Sequence, residues 1–70
     1  MQIKKIISIC PAHGIEAVFI DQKEEITTTV RIWAAIIDEH NDHYIVGFDG
    51  VSMEVPIESI SNFKWYREIQ

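Results

Sequence analysis

The run Thr28-Thr29-Val30-Arg31-Ile32-Trp33-Ala34-Ala35-Ile36-Ile37 decides how this chain folds. It is nearly free of helix formers apart from its two alanines. It is dense in β-branched residues, which lose little on a pleated surface and crowd a helix. Read as a strand, it has two faces. One carries Val30, Ile32, Ala34 and Ile36; the other carries Arg31, Trp33, Ala35 and Ile37. Neither is cleanly polar. A strand that is apolar on both faces is either covered on both sides or leaves an apolar exterior. A chain of 70 residues rarely covers both faces alone. The stretch therefore predicts a small all-β barrel whose outside, near Trp33, binds another molecule.

The flanking segments fit that reading. Turn signals recur about every 10 residues, the spacing of short antiparallel strands. Ile3–Ile9 reads as a first strand, with Ile7 and Ile9 on one face and Ser8 opposite, and Pro11-Ala12-His13-Gly14 as a turn. Ile15–Ile20 is a second strand, followed by a charged loop over Asp21–Glu25. Thr27–Ile37 is a long third strand, and Asp38–Asp42 is a polar tip. His43–Phe48 is a fourth strand, and its Gly47 suggests a bulge or a sharp bend. Asp49-Gly50 is a hairpin signal, leading to a fifth strand over Ser52–Ile57. Pro56–Ile60 predicts a short 3₁₀ turn. Phe63–Ile69 predicts a last strand that returns to the first. Closing such strands into a strongly bent barrel is an economical way to avoid bare edges.

Residues 1–70 read as one domain, and at this length an unaided core is marginal. A hydrophobic content of 47% supports a compact fold. No apolar run approaches the roughly 18 residues that cross a bilayer, so no membrane role is expected. A single cysteine, Cys10, forms no internal disulfide, fits a reducing compartment such as the cytoplasm, and reads as a buried structural thiol. Net charge is −5, and residues 16–58 hold ten of the eleven acids with only Lys23 and Arg31 as bases. An acidic body of this kind argues against a general nucleic-acid or anionic-membrane binder.

Three segments carry a family resemblance. Trp33-Ala34-Ala35-Ile36-Ile37, then His43-Tyr44-Ile45-Val46-Gly47-Phe48-Asp49-Gly50, then Val55-Pro56-Ile57-Glu58-Ser59-Ile60 resemble the core hairpins of SH3-like barrels, including Tudor-type domains. In that family an aromatic–small–aliphatic strand precedes a strand ending in Phe-Asp-Gly, then a short strand and a 3₁₀ turn. The resemblance implies a barrel of five to six strands that acts as a binding module. Trp33, Tyr44 and Phe48 sit near the segments that form the aromatic cage of a Tudor domain. Pro11-Ala12-His13-Gly14 through Ala17-Val18-Phe19, continuing to Trp33-Ala34 and Val46-Gly47, also resembles short uncharacterised open reading frames of bacteria and their phages.

Several clusters bear on chemistry. His40 and His43, beside Asp38, Glu39 and Asp42, are metal-ligand types. Their spacing on a hairpin does not converge as it does on a helix, and the tip reads as a solvated turn rather than a metal site. Nothing orients His13 as a base for Cys10. Ser59 and Ser61 lack a nucleophile elbow and read as caps of the 3₁₀ turn. The three scattered glycines form neither a phosphate loop nor a dinucleotide fingerprint, so no cofactor is expected. No catalytic group is identified.

The reading that follows is a non-enzymatic interaction module. It binds a protein partner or itself through an exposed patch of Trp33 and Ile37, joined by Val18 and Ile20 from a neighbouring strand. The alternative is a nucleic-acid-binding or regulatory barrel. If the first and last strands lie side by side, Lys4, Lys5, Lys64, Trp65 and Arg67 form a basic–aromatic seam.

Overall fold

The computed structural model describes all 70 residues. Its elements are β1 (Ile3–Pro11), β2 (Ile15–Asp21), β3 (Glu24–Thr29), β4 (Ile32–Asp38), β5 (His43–Phe48), a 3₁₀ turn (Ile57–Ser59) and β6 (Phe63–Glu68). The fold is nearly all β. It has two antiparallel three-stranded sheets, one ordered β1-β4-β5 and the other β3-β2-β6.

The long strand expected over Thr27–Ile37 is in fact two strands in different sheets. β3 ends at Thr29 and β4 begins at Ile32. Val30 makes the crossing, with its side chain wholly buried. Its N–H donates to the Ile15 carbonyl at 2.9 Å. The Arg31 N–H donates to the Phe48 carbonyl at 2.9 Å, and the Arg31 carbonyl accepts from the Ala12 N–H at 2.9 Å. These bonds occupy the Val30 N–H and both backbone groups of Arg31 as the chain changes sheets. Two apolar faces make such a break invisible to a period-2 pattern.

Other expectations are corrected by the pairing. No ladder joins the two sheets, so they do not close into a barrel. β6 pairs with β2, not β1, placing Ala17 opposite Tyr66 and Val18 opposite Trp65. Ser52–Ile57 is not a strand. The Asp49-Gly50 hairpin does not form either: Gly50 takes a φ of +89° and the Val51 N–H donates to the Asp49 carboxylate at 2.9 Å, a local bend with no strand after it. The chain then runs as an irregular segment to a buried Pro56, which has no N–H to offer a ladder. The 3₁₀ turn lies within the segment expected for it. Ser59 does not cap it, however; its hydroxyl is buried without a hydrogen-bond partner.

Each sheet has its own core. Ala17, Phe19, Val30 and Ile57 pack with the partly buried Phe63, Tyr66 and Trp33. Phe19 and Phe63 meet edge-on at 5.9 Å between ring centres. On the other side, Ala34, Ile36, Val46 and Phe48 pack with Ile3, Ile32 and Met53. Met53 lies in the irregular segment, which so covers the inner face of β4 and β5.

The charged loop expected over Asp21–Glu25 is a tight hairpin. Asp21 pairs with Glu24, leaving only Gln22 and Lys23 between the strands. Both take positive φ, 50° and 68°. Two-residue turns of this kind match strand twist and favour Asn-Gly, because non-glycine residues pay a steric cost at positive φ. Replacing both residues (Gln22→Asn with Lys23→Gly) is expected to raise stability by about 0.5–2 kcal/mol. A higher urea midpoint with an unchanged m-value is the confirming result.

Candidate functional site

Residues paired across a sheet project to the same side. In the β1-β4-β5 sheet, Cys10, Trp33 and Gly47 form one row, Ser8, Ala35 and Ile45 the next, and Lys5, Ile37 and His43 the third. These rows make the outer face. The opposite face carries Ala34, Ile36, Val46 and Phe48, which form the second core, while its β1 residues Ile6 and Ile9 are exposed. The ladder between β1 and β4 shifts register between Ile3 and Lys5 and again between Ile6 and Ser8. Ile7 is the extra residue of the second shift and lines a hollow with Ala35 and Ile45. A bulge re-aims a side chain in this way.

Covering of the outer face is confined to one end. There Trp33 meets Tyr66 of β6 edge-on, with ring centres 4.9 Å apart. Away from that contact the face is apolar and open: Ile45 is 70% exposed and Ile7 is 50% exposed. The short Ala35 side chain leaves a hollow on each side of Ile45. One, of about 120 Å³, is bounded by Ser8, Cys10 and Trp33. The other, of about 230 Å³, is bounded by Ile7 and His43.

The expected patch is only partly assembled. Trp33 and Ile37 share this face but are partly buried. Val18 and Ile20 lie on β2 in the other sheet, and Val18 is wholly buried. They do not join Trp33, because the break at Val30 puts the two halves of the expected strand beside different partners. Ile7 and Ile45 complete the face instead. Ile45 is signalled by its apolar character in a register that opposes it to Ala35. The position of Ile7 depends on a bulge that no local pattern announces. Trp33 is also on the opposite side of β4–β5 from Tyr44 and Phe48, so these three do not form a cage.

The basic seam is likewise dispersed. Lys4 and Lys5 belong to β1, whereas Lys64, Trp65 and Arg67 belong to β6 of the other sheet. The Lys4 ammonium donates to Asn41 Oδ1 at 2.7 Å. Arg67 is held by acids: its Nε donates to Glu16 at 2.6 Å and its Nη1 to Glu25 at 2.9 Å. Glu16 first, and Glu25 second, raise the guanidinium pKa.

At the β4–β5 tip, the buried Asp38 carboxylate accepts N–H donors from His40 and Asp42, each at 2.9 Å. That carboxylate serves the turn. Glu39 accepts the Gln2 N–H at 2.7 Å and lies 3.6 Å from His40 Nε2. Its own amide, then that of Gln2, lowers its pKa. No group of three or more His, Cys, Asp or Glu side chains converges to hold a metal ion. Cys10, expected to be buried, is exposed at the rim of the outer face, because β1 is an edge strand.

Gly47 is neither a bulge nor a bend, since the β4–β5 register runs through it unbroken. A β-carbon there would stand 2.8 Å from the Tyr66 hydroxyl and 3.1 Å from the Trp33 ring. Close approach of β6 to β5 requires the glycine. The Gly47 N–H donates to the Glu58 carboxylate at 2.9 Å, away from β4, and so caps the free edge of β5. Burial of Tyr66, reinforced by the Glu58 carboxylate beside it, pushes its phenol pKa well above the ordinary value.

The chain matches no protein-family model, no curated protein and no solved structure.

Gly47→Ala is expected to cost about 1–3 kcal/mol through overpacking against Tyr66. Tyr66→Phe removes the nearer obstacle, so the double variant should recover part of that loss. A double-mutant cycle with no coupling would refute the contact. The raised phenol pKa has a definite sign. Below about pH 10 both the folded and unfolded chains keep the Tyr66 proton, and its contribution is constant. Above that, the unfolded chain releases it first and stability falls. Tyr66→Phe should flatten the alkaline limb of a stability–pH curve, measured by urea unfolding.

Proposed function

We propose that this chain is a non-enzymatic protein-interaction module that binds through the outer face of the β1-β4-β5 sheet. One observation carries the reading: Ile7 and Ile45 stand exposed on either side of Ala35, on a face with no acid or base among its central residues. An exposed apolar area with a polar rim is the ordinary mark of a contact surface. Trp33 supplies a rigid aromatic margin, already oriented by Tyr66, and aromatic groups of this kind anchor interfaces. The finer architectural reading, an open SH3-like module, is supported by the β4–β5 hairpin ending in Phe48-Asp49-Gly50 and by the 3₁₀ turn that follows. The short intervening strand of that family is absent here.

Peptide display against the folded domain tests the reading. Selected ligands should be apolar and should lose at least tenfold in affinity against Ile45→Asp. That substitution is at an exposed position and should change stability by no more than about 0.5 kcal/mol. Ligands that bind the variant as tightly as the parent chain place recognition elsewhere and refute the proposal.

A further inference from the structure

We infer that the occupant of this face is a second copy of the chain, stacked face to face and antiparallel about a two-fold axis near Ala35. The inference rests on the interaction-module reading and specifies its partner.

Area points to an additional covering layer. The chain exposes 4941 Å². A folded monomer of 8.1 kDa exposes about 4,500 Å² on the general scaling of surface with mass. The excess of about 450 Å² is over half of what one partner brings to a standard interface, roughly 800 Å². Only 13 of 70 residues are buried, so another layer has much to cover.

Relief points to self-association. A two-fold interface must be complementary to itself. Ile45 projects between two hollows of the same face. A small offset along the strands seats each Ile45 in a hollow beside the partner's Ile45. Charge sets the direction. The three rows hold no Asp or Glu, so the acidity of the chain does not oppose the contact. Lys5 and His43 lie at one end, and Cys10 and Trp33 at the other. Antiparallel stacking places the Lys5 end over the partner's Cys10 end and keeps the two Lys5 ammonium groups apart. Addition at the β1 edge is less suited, because Lys4, Lys5, two register shifts and Pro11 interrupt that edge.

Sedimentation equilibrium from micromolar to millimolar concentration tests the stoichiometry. The parent chain should approach twice 8.1 kDa. Ile45→Asp should remain monomeric with unchanged circular dichroism and, at the dilution where the parent too is monomeric, an unchanged urea midpoint. Val51→Asp, 89% exposed and away from the face, should dimerise like the parent. A parent chain that stays monomeric throughout overturns the second-copy inference, and peptide binding sensitive to Ile45 then still supports the broader module reading. A folded Ile45→Asp that dimerises like the parent overturns the placement. If that variant does not fold, a short amine-to-thiol cross-linker on the unmodified chain decides. Dimers joined through Lys5 and the second copy's Cys10 support the stacking, and dimers joined only through Lys23 or Lys64 overturn it.

Discussion

The passage of the chain through Val30 and Arg31 is the constraint on which this structure depends. Three backbone hydrogen bonds, to Ile15, Phe48 and Ala12, hold two consecutive residues between the sheets. Val30 is buried at the same point. Burying backbone polar groups without partners is costly, and these three bonds occupy the Val30 N–H and both backbone groups of Arg31. The crossing sends β3 to one sheet and β4 to the other. It thereby sets which side of β4 is enclosed. The side bearing Ala34 and Ile36 is enclosed by the segment that carries Met53, while the side bearing Ala35 is roofed only where Tyr66 reaches Trp33.

Two small open sheets have four free edges, and the chain treats them differently from its faces. The β3 edge carries Glu24, Glu25 and threonines. The β6 edge carries Lys64, Arg67 and Glu68, with Arg67 fixed by Glu16 and Glu25. Glu58 takes the Gly47 N–H at the edge of β5. β1 has two lysines and two register shifts. Charges and bulges are the usual protections against unwanted strand pairing. The outer face of the β1-β4-β5 sheet has no comparable protection at its centre. The edges are thus guarded against backbone addition, whereas the centre of this face is not guarded against side-chain packing.

How much of this was legible in the sequence depended on the range of the interaction. β-branched density around Val18, Ile32 and Ile36 announced strands, and Pro56 announced the 3₁₀ turn, because both are local steric effects. The exclusion of a continuous strand at Val30 was not legible, since its cause is hydrogen bonding to Ile15, Phe48 and Ala12, all distant in sequence. The pairing of β6 with β2 was hidden for the same reason. Gly47 was conspicuous, but its cause, the Tyr66 hydroxyl, lies 19 positions away. Of the site, Trp33 and Ile37 were visible from alternation. Ile7 was not, because a bulge changes which side a residue faces. Val18 and Ile20 do not reach the patch, because β2 lies in the other sheet and is no neighbour of β4.

Trp33 links the two halves of the molecule. One edge of its indole lies against Tyr66, which comes from the opposite sheet, and the ring also bounds the hollow beside Ile45. The same side chain thus helps hold the sheets together and shapes the exposed face. Tyr66 can approach so closely only because Gly47 has no β-carbon, and it does so with a hydroxyl that is buried without a hydrogen-bond partner. An unsatisfied buried hydroxyl is costly, and a structure retains one when the packing around it returns more. Here that packing is the contact of Trp33, Phe63 and Tyr66, three rings with neighbouring centres 4.9 Å apart. Any change that loosens this cluster frees Trp33 to move, so the shape of the outer face depends on packing that the face itself does not contain.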